Sequence, residues 1–401
     1  MNKKINKIFL FFLIALMAAS FTGCLNLSGT TTEVPEKNSN QGVFKSIDGG
    51  KTWEQKVDVE GGGLIDTVKI LSMKMDPQDN KVLYLGTLNN GFYKSENGAD
   101  SWKKVTDENN ILTEQAVVYD VAIEKGNSNI IYIATLNNTR GELLKSEDGG
   151  KSWSESYITT EINKMVNKVK IDPIYKNIVY IGTEQGGLIK SEDRGKTWYT
   201  LSWFTSGVKD FVIDFQNNKG IVVRTTNEIL KSVVDGNDET FISIGGKKGD
   251  ILESVEGSKW MRLNRLMQAS LSLKINHLEI SSMTIDNKNP LIIYITYRNL
   301  VLKTSDGGYT WEKLNTITPS LTALGTIPQI KQIGIIDDTI YYGAGNALYK
   351  SGNKGITWSN YNIPIKGDVR YTLSDYTNSD IIYLGAFYDP PPKKKKSPLG
   401  F

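Results

Sequence analysis

The sequence predicts an all-β fold, a single ring of seven four-stranded antiparallel blades, from three observations. A short motif recurs at a nearly constant period, each copy ends a unit of four short strands, and the two ends of the repeat region are complementary halves of one further unit. A fixed period of about 40 to 50 residues is typical of propellers and solenoids, in which each repeat is one supersecondary unit. We therefore predict a seven-bladed β-propeller.

The recurring motif is Ser-x-Asp-x-Gly-x-Thr/Ser-Trp. Its copies begin at positions 46, 95, 146, 191, 304 and 351, and neighbouring copies lie 45 to 51 residues apart except across one gap of 113 residues. The copies at 95 and 351 have Asn at the Asp position, and the copy at 304 begins with Thr. The residues that carry the motif are Ser46, Asp48, Gly50, Trp53, Ser95, Trp102, Ser146, Asp148, Gly150, Trp153, Ser191, Asp193, Gly195, Trp198, Asp306, Gly308, Trp311, Ser351, Gly355 and Trp358.

The chemistry of this motif is that of a tight turn. Ser and Asp side chains accept backbone N–H bonds within a short loop, and Gly adopts positive φ without steric cost. The Trp is then free to pack against a neighbouring blade. A calcium loop needs several carboxylates and a bidentate Glu downstream, whereas the defining positions of each copy offer one carboxylate at most. We interpret the motif as structural and predict no metal site.

Residues 166–201 show the layout of one unit. We predict strands at 169–171, 178–183 and 187–190, then the motif as a turn and a last strand from Trp198, with Gly, Asp, Asn and Pro between them. The 113-residue gap contains one degenerate unit, in which Phe241 stands where Trp is expected. A supernumerary hairpin with Trp260 follows at about 247–263. An eighth, truncated blade in this gap is the alternative.

The two ends of the repeat region complete each other. Only residues 42–45 precede the first motif, so its first two strands are missing, and residues 369–386 form two strands with no motif after them. Pairing these halves would close the ring and leave no strand edge open. The predicted propeller spans 42–388.

The residues outside the propeller predict an anchored protein of the bacterial cell envelope. A basic, then apolar segment ends in Phe-Thr-Gly-Cys24, which resembles a bacterial lipobox, so we interpret 1–23 as a lipoprotein signal peptide and Cys24 as the lipidated residue. The alternatives are an ordinary secretory signal and an uncleaved anchor. Residues 24–41 form a polar tether. Residues 389–401 form a Pro/Lys-rich tail, in which Lys393–Lys396 either touches an anionic surface or is simply solvated.

Charge and composition exclude some classes of function. The chain has 47 basic and 44 acidic residues, and removal of Lys3, Lys4 and Lys7 with the signal peptide leaves 44 of each. A neutral mature chain does not indicate a nucleic-acid-binding surface. The single His and single Cys offer no Ser-His-Asp or zinc constellation. We predict no cofactor.

The motif copies resemble the Asp-box, or bacterial neuraminidase repeat, of a propeller superfamily. That superfamily includes sialidases, family-74 xyloglucanases, sortilin-type receptors and photosystem II assembly factors. The resemblance implies that the Asp-box lies on the turn between the third and fourth strands, away from the ligand site. It does not decide between an enzyme and a binding protein, because one fold supports many functions.

The turns of a meander alternate between its two faces, so the expected ligand face lies opposite the motif. It holds the second turn of each blade, the blade-to-blade connections and the starts of the innermost strands. The candidate ligand-face residues are Asp66, Tyr119, Asp120, Arg140, Lys209, Asp210, His277, Arg298 and Arg370. For each of them the alternative is a solvated turn residue.

The sequence favours a binding protein over an enzyme. The resemblance to sialidases implies three carboxylate-binding arginines, but no Phe/Tyr-Arg-Ile-Pro segment precedes the first repeat. A xyloglucanase-like enzyme needs two carboxylates across a cleft, for which Asp120 and Asp210 are candidates without a supporting motif. We predict a non-catalytic protein-binding or assembly-factor scaffold, with a protein as the first partner and a glycan as the second. The alternative is a glycoside hydrolase or glycan-binding protein.

Overall fold

The computed structural model describes residues 41–214, 220–233, 251–253, 259–272, 279–317, 327–365 and 367–387. These residues form seven antiparallel sheets, which confirms the predicted number of blades. The innermost strand of each blade contacts the innermost strand of the next, and the seventh contacts the first. The predicted signal peptide, Cys24, the tether and the tail lie outside the described residues.

The strands follow one another with short connections, and blades are numbered here by the order of their innermost strands. The first strands among the described residues are the outer half of blade 7: β1 (Gly42–Ser46) and β2 (Glu54–Gln55). Blade 1 comprises β3 (Ile70–Met75), β4 (Leu83–Thr87), β5 (Phe92–Ser95) and β6 (Lys103–Lys104). Blade 2 comprises β7 (Val117–Ile123), β8 (Ile131–Asn137), β9 (Arg140–Ser146) and β10 (Ser154–Ile162). Blade 3 comprises β11 (Val166–Ile171), β12 (Val179–Thr183), β13 (Gly187–Ser191) and β14 (Tyr199–Trp203).

The second half of the ring has the same layout, with additions in blade 4. Blade 4 comprises β15 (Val208–Ile213), β16 (Ile221–Thr225), β17 (Ile229–Val233), β18 (Ile251–Glu253) and β19 (Lys259–Arg262), followed by helix α1 (Leu263–Leu271). Blade 5 comprises β20 (Ile280–Ile285), β21 (Ile293–Tyr297), β22 (Leu300–Thr304) and β23 (Glu312–Lys313). Blade 6 comprises β24 (Ile333–Ile336), β25 (Thr339–Ala344), β26 (Ala347–Ser351) and β27 (Ser359–Asn362). The inner half of blade 7 is β28 (Asp368–Ser374) and β29 (Ile382–Phe387).

Blade 7 closes the ring as predicted. The first strand of the repeat region, β1, pairs along its whole length with the last, β29, from Gly42 opposite Ala386 to Ser46 opposite Ile382. The sheet order is β2-β1-β29-β28, so the end of the propeller supplies the inner two strands and its beginning the outer two. This pairing removes the two strand edges that an open ring would expose.

Blade 4 differs from the predicted layout. Strand β19, which carries Trp260, pairs directly with β17 and so is the fourth strand of the blade, while β18 adds a fifth at the outer edge. The Trp260 ring packs on Phe204 of blade 3 with 5.0 Å between ring centroids, and its Nε1 donates to Ser202 Oγ at 2.8 Å. Phe241, expected at the Trp position, lies outside the described residues.

The hydrophobic core lies in the layers between neighbouring blades. The second strand of each blade is packed on both faces, and β4, β12 and β21 are buried over their whole length. The motif Trp side chains pack against the preceding blade: Trp102 Nε1 donates to Lys56 O of blade 7 at 3.0 Å, and Trp198 Nε1 to Ser156 O of blade 2 at 2.8 Å. Each Trp therefore holds two blades together.

The helix α1 is nine residues long and buries Leu263 and Met267. No helix within the described residues has the length and apolar character needed to cross a membrane.

The motif copies form one repeated turn, seen clearly in the copy from Ser146. Gly150 N donates to Ser146 Oγ at 2.8 Å, and Ser146 Oγ donates to Asp148 Oδ1 at 2.8 Å. The same carboxylate accepts the backbone N–H groups of Lys151 and Ser152, both at 3.0 Å. Burial acts to raise the pKa of Asp148, but these hydrogen bonds outweigh it and lower the pKa to about 2. The carboxylate thus satisfies backbone donors that the turn itself cannot pair.

Replacing Asp148 by Ala is expected to lower the free energy of unfolding by about 1 kcal/mol at neutral pH, because two backbone donors that are exposed or partly buried lose their protein acceptor. Asp148→Asn should cost less, since Asn97 in the blade 1 copy accepts from Ser101 N at 2.9 Å and donates to Ser101 Oγ at 2.9 Å. The folded-state pKa is lowered, so the carboxylate stabilises the fold above about pH 4 and loses this effect as the pH falls towards 2. Asn does not titrate.

Urea unfolding of the wild type and both variants at several pH values measures these effects. The stability gap between wild type and Asp148→Asn should narrow as the pH falls through this range. Equal losses for Ala and Asn at neutral pH would contradict the assigned role of the side chain.

Candidate functional site

The backbone hydrogen bonds sort the turns of the blades onto two faces. Motif turns bond to the first turn of their own blade, for example Gly149 N to Asn129 O at 3.0 Å and Arg194 N to Asn177 O at 2.8 Å. Second turns bond instead to blade-to-blade connections, for example Ile330 N to Arg298 O at 2.8 Å. We call the first the repeat-turn face and the second the loop face.

Six innermost strands carry a one-residue irregularity in register, a β-bulge, close to the loop face. It falls between Ile70 and Ser72 in blade 1 and at the equivalent place in blades 2, 3, 4, 5 and 7. A bulge interrupts the alternation of a strand and re-aims a side chain. The six residues inside the bulges all line the central cavity of the ring: Leu71, Tyr119, Asn167, Lys209, Ser281 and Arg370.

This central cavity has a volume of about 510 Å³ and is lined by residues of all seven blades. Because most of its lining residues lie at the starts of the innermost strands, it opens towards the loop face. Its described lining residues include eight basic side chains and a single acidic one, Asp210. The basic residues are Lys69, Lys74, Lys168, Lys170, Lys209, Arg224, Lys331 and Arg370. We call this cavity the basic channel.

Two carboxylates at the wall of the basic channel are held by lysines of blade 3. Lys168 Nζ lies 3.3 Å from Asp120 Oδ2, and Lys170 Nζ lies 3.8 Å from Asp210 Oδ1. Burial acts to raise the pKa of Asp210, but the charges of Lys168, Lys170 and Arg224 outweigh it and hold the pKa below its ordinary value. Asp210 is therefore an ionised counter-ion, unsuited to donating a proton near neutral pH.

The cations of the channel also act on one another. Burial, together with the charges of Lys168 and Lys74, lowers the pKa of Lys170 to about 8. Burial and the charge of Arg370 likewise lower the pKa of Lys331. Like charges disfavour the protonated form of an amine, so neighbouring cations add to the effect of burial at both lysines. An anion entering the channel would relieve this repulsion.

Arg224 occupies a position that most other blades fill with a small residue. It faces Asp210, the residue after the bulge, and the corresponding partners in blades 1, 3 and 7 are Gly86, Gly182 and Gly385. Its Nη1 donates to Ile280 O of blade 5 at 3.2 Å, while its buried Nε has no hydrogen-bond partner among the described residues. An alignment of the seven repeats would show this difference, because Arg224 stands where three other repeats have Gly.

The structure brings together about half of the predicted ligand-face residues. Tyr119, Lys209, Asp210 and Arg370 line the basic channel, and Asp120 lies at its wall. The other four predicted residues do not contribute to its described lining. Arg298 pairs with Glu279 at 2.6 Å, and Arg140 is the exposed first residue of β9. Asp66 is buried, and His277 lies outside the described residues.

Sequence reasoning missed Lys69, Lys74, Lys168, Lys170, Arg224 and Lys331. It did not anticipate the bulges, which bring successive residues such as Lys209 and Asp210 to the same cavity. Within the described part of the chain, no group of three or more His, Cys, Asp or Glu side chains could hold a metal ion.

Solved structures of similar fold include both binding proteins and enzymes. One, described as YCF48 bound to D1 peptide, has 14% sequence identity and a TM-score of 0.55, and the match covers 80% of this chain and 94% of that one. YCF48 from Cyanidioschyzon merolae has 13% identity and a TM-score of 0.53. That match covers 79% of this chain and 95% of the other. The Niastella koreensis GH74 enzyme has 16% identity and a TM-score of 0.57, with 84% of this chain matching 53% of that one.

These structures share the fold of this chain but differ from one another in function. No protein-family model matches the chain, and neither does any curated protein sequence. At such low identity the shared property is the propeller itself. The chain spans about half of the GH74 enzyme and nearly the whole of YCF48. The feature of this chain that bears on function is the basic channel.

Proposed function

We propose that this protein is a non-catalytic scaffold that binds an acidic segment of a protein partner in the basic channel. The observation that carries the proposal is the excess of cations, eight against one carboxylate, in the described lining of one cavity. Clefts lined by one sign of charge focus the electrostatic field and attract oppositely charged ligands. The D1 peptide in the YCF48 structure supports a polypeptide as the partner of a propeller of this kind.

The chemistry of the channel suits binding better than proton transfer. Hydrolysis of a glycoside needs a carboxylic acid whose pKa is raised so that it can protonate the leaving group. The pKa of Asp210 is lowered instead, and Asp120 lies 3.3 Å from the ammonium of Lys168. Both carboxylates act as counter-ions to lysines that would otherwise repel one another.

Fluorescence anisotropy with a labelled peptide of alternating Asp and Glu tests the proposal. The peptide should bind at low ionic strength and lose at least about tenfold in affinity when salt is raised to about 0.5 M, because screening weakens exposed charge pairs. A peptide of the same length with Asn and Gln should not bind. Failure of the acidic peptide to bind at low salt would contradict the proposal.

A glycoside hydrolase is the second candidate, favoured by the structural likeness to GH74 enzymes. Asp120 and Asp210 would then be the two carboxylates. Release of sugars from xyloglucan by the purified protein, abolished by Asp120→Asn and Asp210→Asn, would establish this candidate and displace the scaffold proposal.

We also propose that the scaffold is anchored by a lipid on Cys24 and faces outside the cytoplasm, in the bacterial cell envelope. The support is the lipobox-like Phe-Thr-Gly-Cys24 at the end of an apolar segment. The full chain made in a bacterial host should partition into the detergent phase of a Triton X-114 extraction, and Cys24→Ser should move it to the aqueous phase. Unchanged partitioning of the variant would exclude the lipid anchor.

A further inference from the structure

The repeat-turn end of the ring holds a second cavity of about 510 Å³, different in character from the basic channel. Its walls are mostly aliphatic: Ile171 and Ile174 come from blade 3, Val212 and Ile213 from blade 4, and Ile285 from blade 5. These residues lie at or just beyond the ends of the innermost strands, next to the first turns. We call this cavity the apolar mouth.

The apolar mouth meets the basic channel at Lys170, Met283 and Thr284, which line both cavities. Lys170 is the charged group at this junction, and 31% of its side chain remains exposed. Its nearest carboxylate is Asp210 at 3.8 Å, longer than a hydrogen bond, and Asp210 also faces Lys168 and Arg224. The described residues of the apolar mouth include Lys125 at the rim and no acidic side chain.

This arrangement selects for an anion with an apolar body. Aliphatic walls favour burial of hydrocarbon, and the flexible thioether of Met283 adapts to the shape of a bound chain. A peptide backbone would place polar N–H and C=O groups against isoleucines without partners, which is unfavourable. A neutral hydrocarbon would leave the ammonium of Lys170 with only the carboxylate of Asp210, 3.8 Å away, as its counter-ion.

Apolar side-chain surface is also exposed to solvent at the opening of the apolar mouth. Ile174, which lines the mouth, is 46% exposed. Apolar side chains grouped around a concave opening are typical of ligand sites. A bound chain would cover this rim.

We propose that the apolar mouth binds a single-chain alkyl carboxylate, with the hydrocarbon between blades 3, 4 and 5 and the carboxylate against Lys170 Nζ. The ligand enters from the repeat-turn face. The acidic segment of the proposed function enters from the loop face, so the two ligands approach from opposite ends of the ring and share only Lys170, Met283 and Thr284.

Isothermal titration calorimetry with octanoate, decanoate and dodecanoate below their micellar concentrations tests the proposal. Affinity should rise about three- to fourfold for each added methylene, which corresponds to about 0.8 kcal/mol of burial. Decanoate should bind at least about tenfold more tightly than decanol, because only the carboxylate pairs with Lys170. Affinity that does not depend on chain length, or equal affinity for decanoate and decanol, would overturn the proposal.

Three variants locate the ligand. Ile174→Asp should weaken decanoate binding at least about tenfold, and the exposed position of this residue leaves the fold intact. Lys170→Met should bring decanoate down to the affinity of decanol while decanol binding is retained. Lys209→Met, at the loop end of the basic channel, is the matched control and should leave the affinity for decanoate unchanged.

Other outcomes point to a different occupant or site. A loss in Lys209→Met equal to that in Lys170→Met would place the carboxylate in the basic channel and overturn the proposal. Tighter binding of an acetylated, apolar peptide with a free carboxyl end than of dodecanoate would make the occupant a peptide, which also overturns it. Circular dichroism of each variant excludes unfolding as the cause of a loss.

Discussion

Replacing Lys209, Lys331 and Arg370 together by Glu is expected to weaken binding of the acidic peptide by at least about a hundredfold. All three line the basic channel and belong to its loop-face end, where the peptide enters. Each change removes an attraction of about 1 kcal/mol and adds a repulsion, so three changes exceed the roughly 2.8 kcal/mol that a hundredfold loss requires. The salt dependence of any residual binding should also become shallower.

The repeat-turn face supplies a matched control for this experiment. Lys51, Lys151 and Lys196 occupy equivalent exposed positions in three motif turns. Changing these three to Glu alters the net charge of the protein by the same amount and should leave peptide affinity within about threefold, because exposed charges on the far face are screened. If both triple variants lost affinity equally, binding would reflect net charge and not the channel.

Replacing Gly86 by Ala is expected to lower the free energy of unfolding by about 3 kcal/mol or more. Gly86 lies in β4, where a Cβ atom would stand 2.4 Å from Val118 O and 2.3 Å from Ser72 Oγ. The carbonyl belongs to the innermost strand of blade 2, so relief of the clash must move one blade against the next. Overpacking of this kind in a close-packed core costs about 1–3 kcal/mol, and the backbone contact places Gly86 at the upper end.

Gly385 is the control because it holds the same position in blade 7. A Cβ there would meet Tyr371 Cβ at 3.4 Å and Ile70 Cδ1 at 3.5 Å, which are ordinary contacts. Gly385→Ala should therefore change the free energy of unfolding by less than about 1 kcal/mol, with a gain expected from reduced freedom of the unfolded chain. Chemical denaturation of both variants decides the matter. If both variants changed the free energy of unfolding equally, Gly86 would not be required for the close approach of blades 1 and 2.

The fold could be predicted from the sequence because its signals are local and repeated. The motif from Ser146 encodes its own turn through three neighbouring side chains. Six copies of the motif, together with one degenerate unit in the 113-residue gap, give the seven blades. Closure of blade 7 followed from two incomplete ends. The layout of blade 4 was predicted less well, because this blade lacks the motif that sets the frame. Its strand β19, which carries Trp260, pairs directly with β17.

The candidate site could be predicted only in part because it is assembled from distant residues. Starts of innermost strands were identified, which gave Tyr119, Lys209 and Asp210. Lys168 and Lys170 were missed, since nothing local distinguishes a lysine that faces the channel from one that faces solvent. The channel is strongly basic although the predicted mature chain is formally neutral, and net charge does not report how charge is distributed.

The pairing of β1 with β29 also dictates the order of events when the ring is made. Blades 1 to 6 are each built from nearby sequence, whereas blade 7 joins segments at opposite ends of the propeller, the kind of long-range contact that folds slowly. During synthesis β1 emerges first and must wait for β29 with Val43 and Phe44 unburied. In that interval the β29 strand of another copy offers the same partner, so exchange of this strand between nascent chains is the misassembly that a crowded translation site would favour.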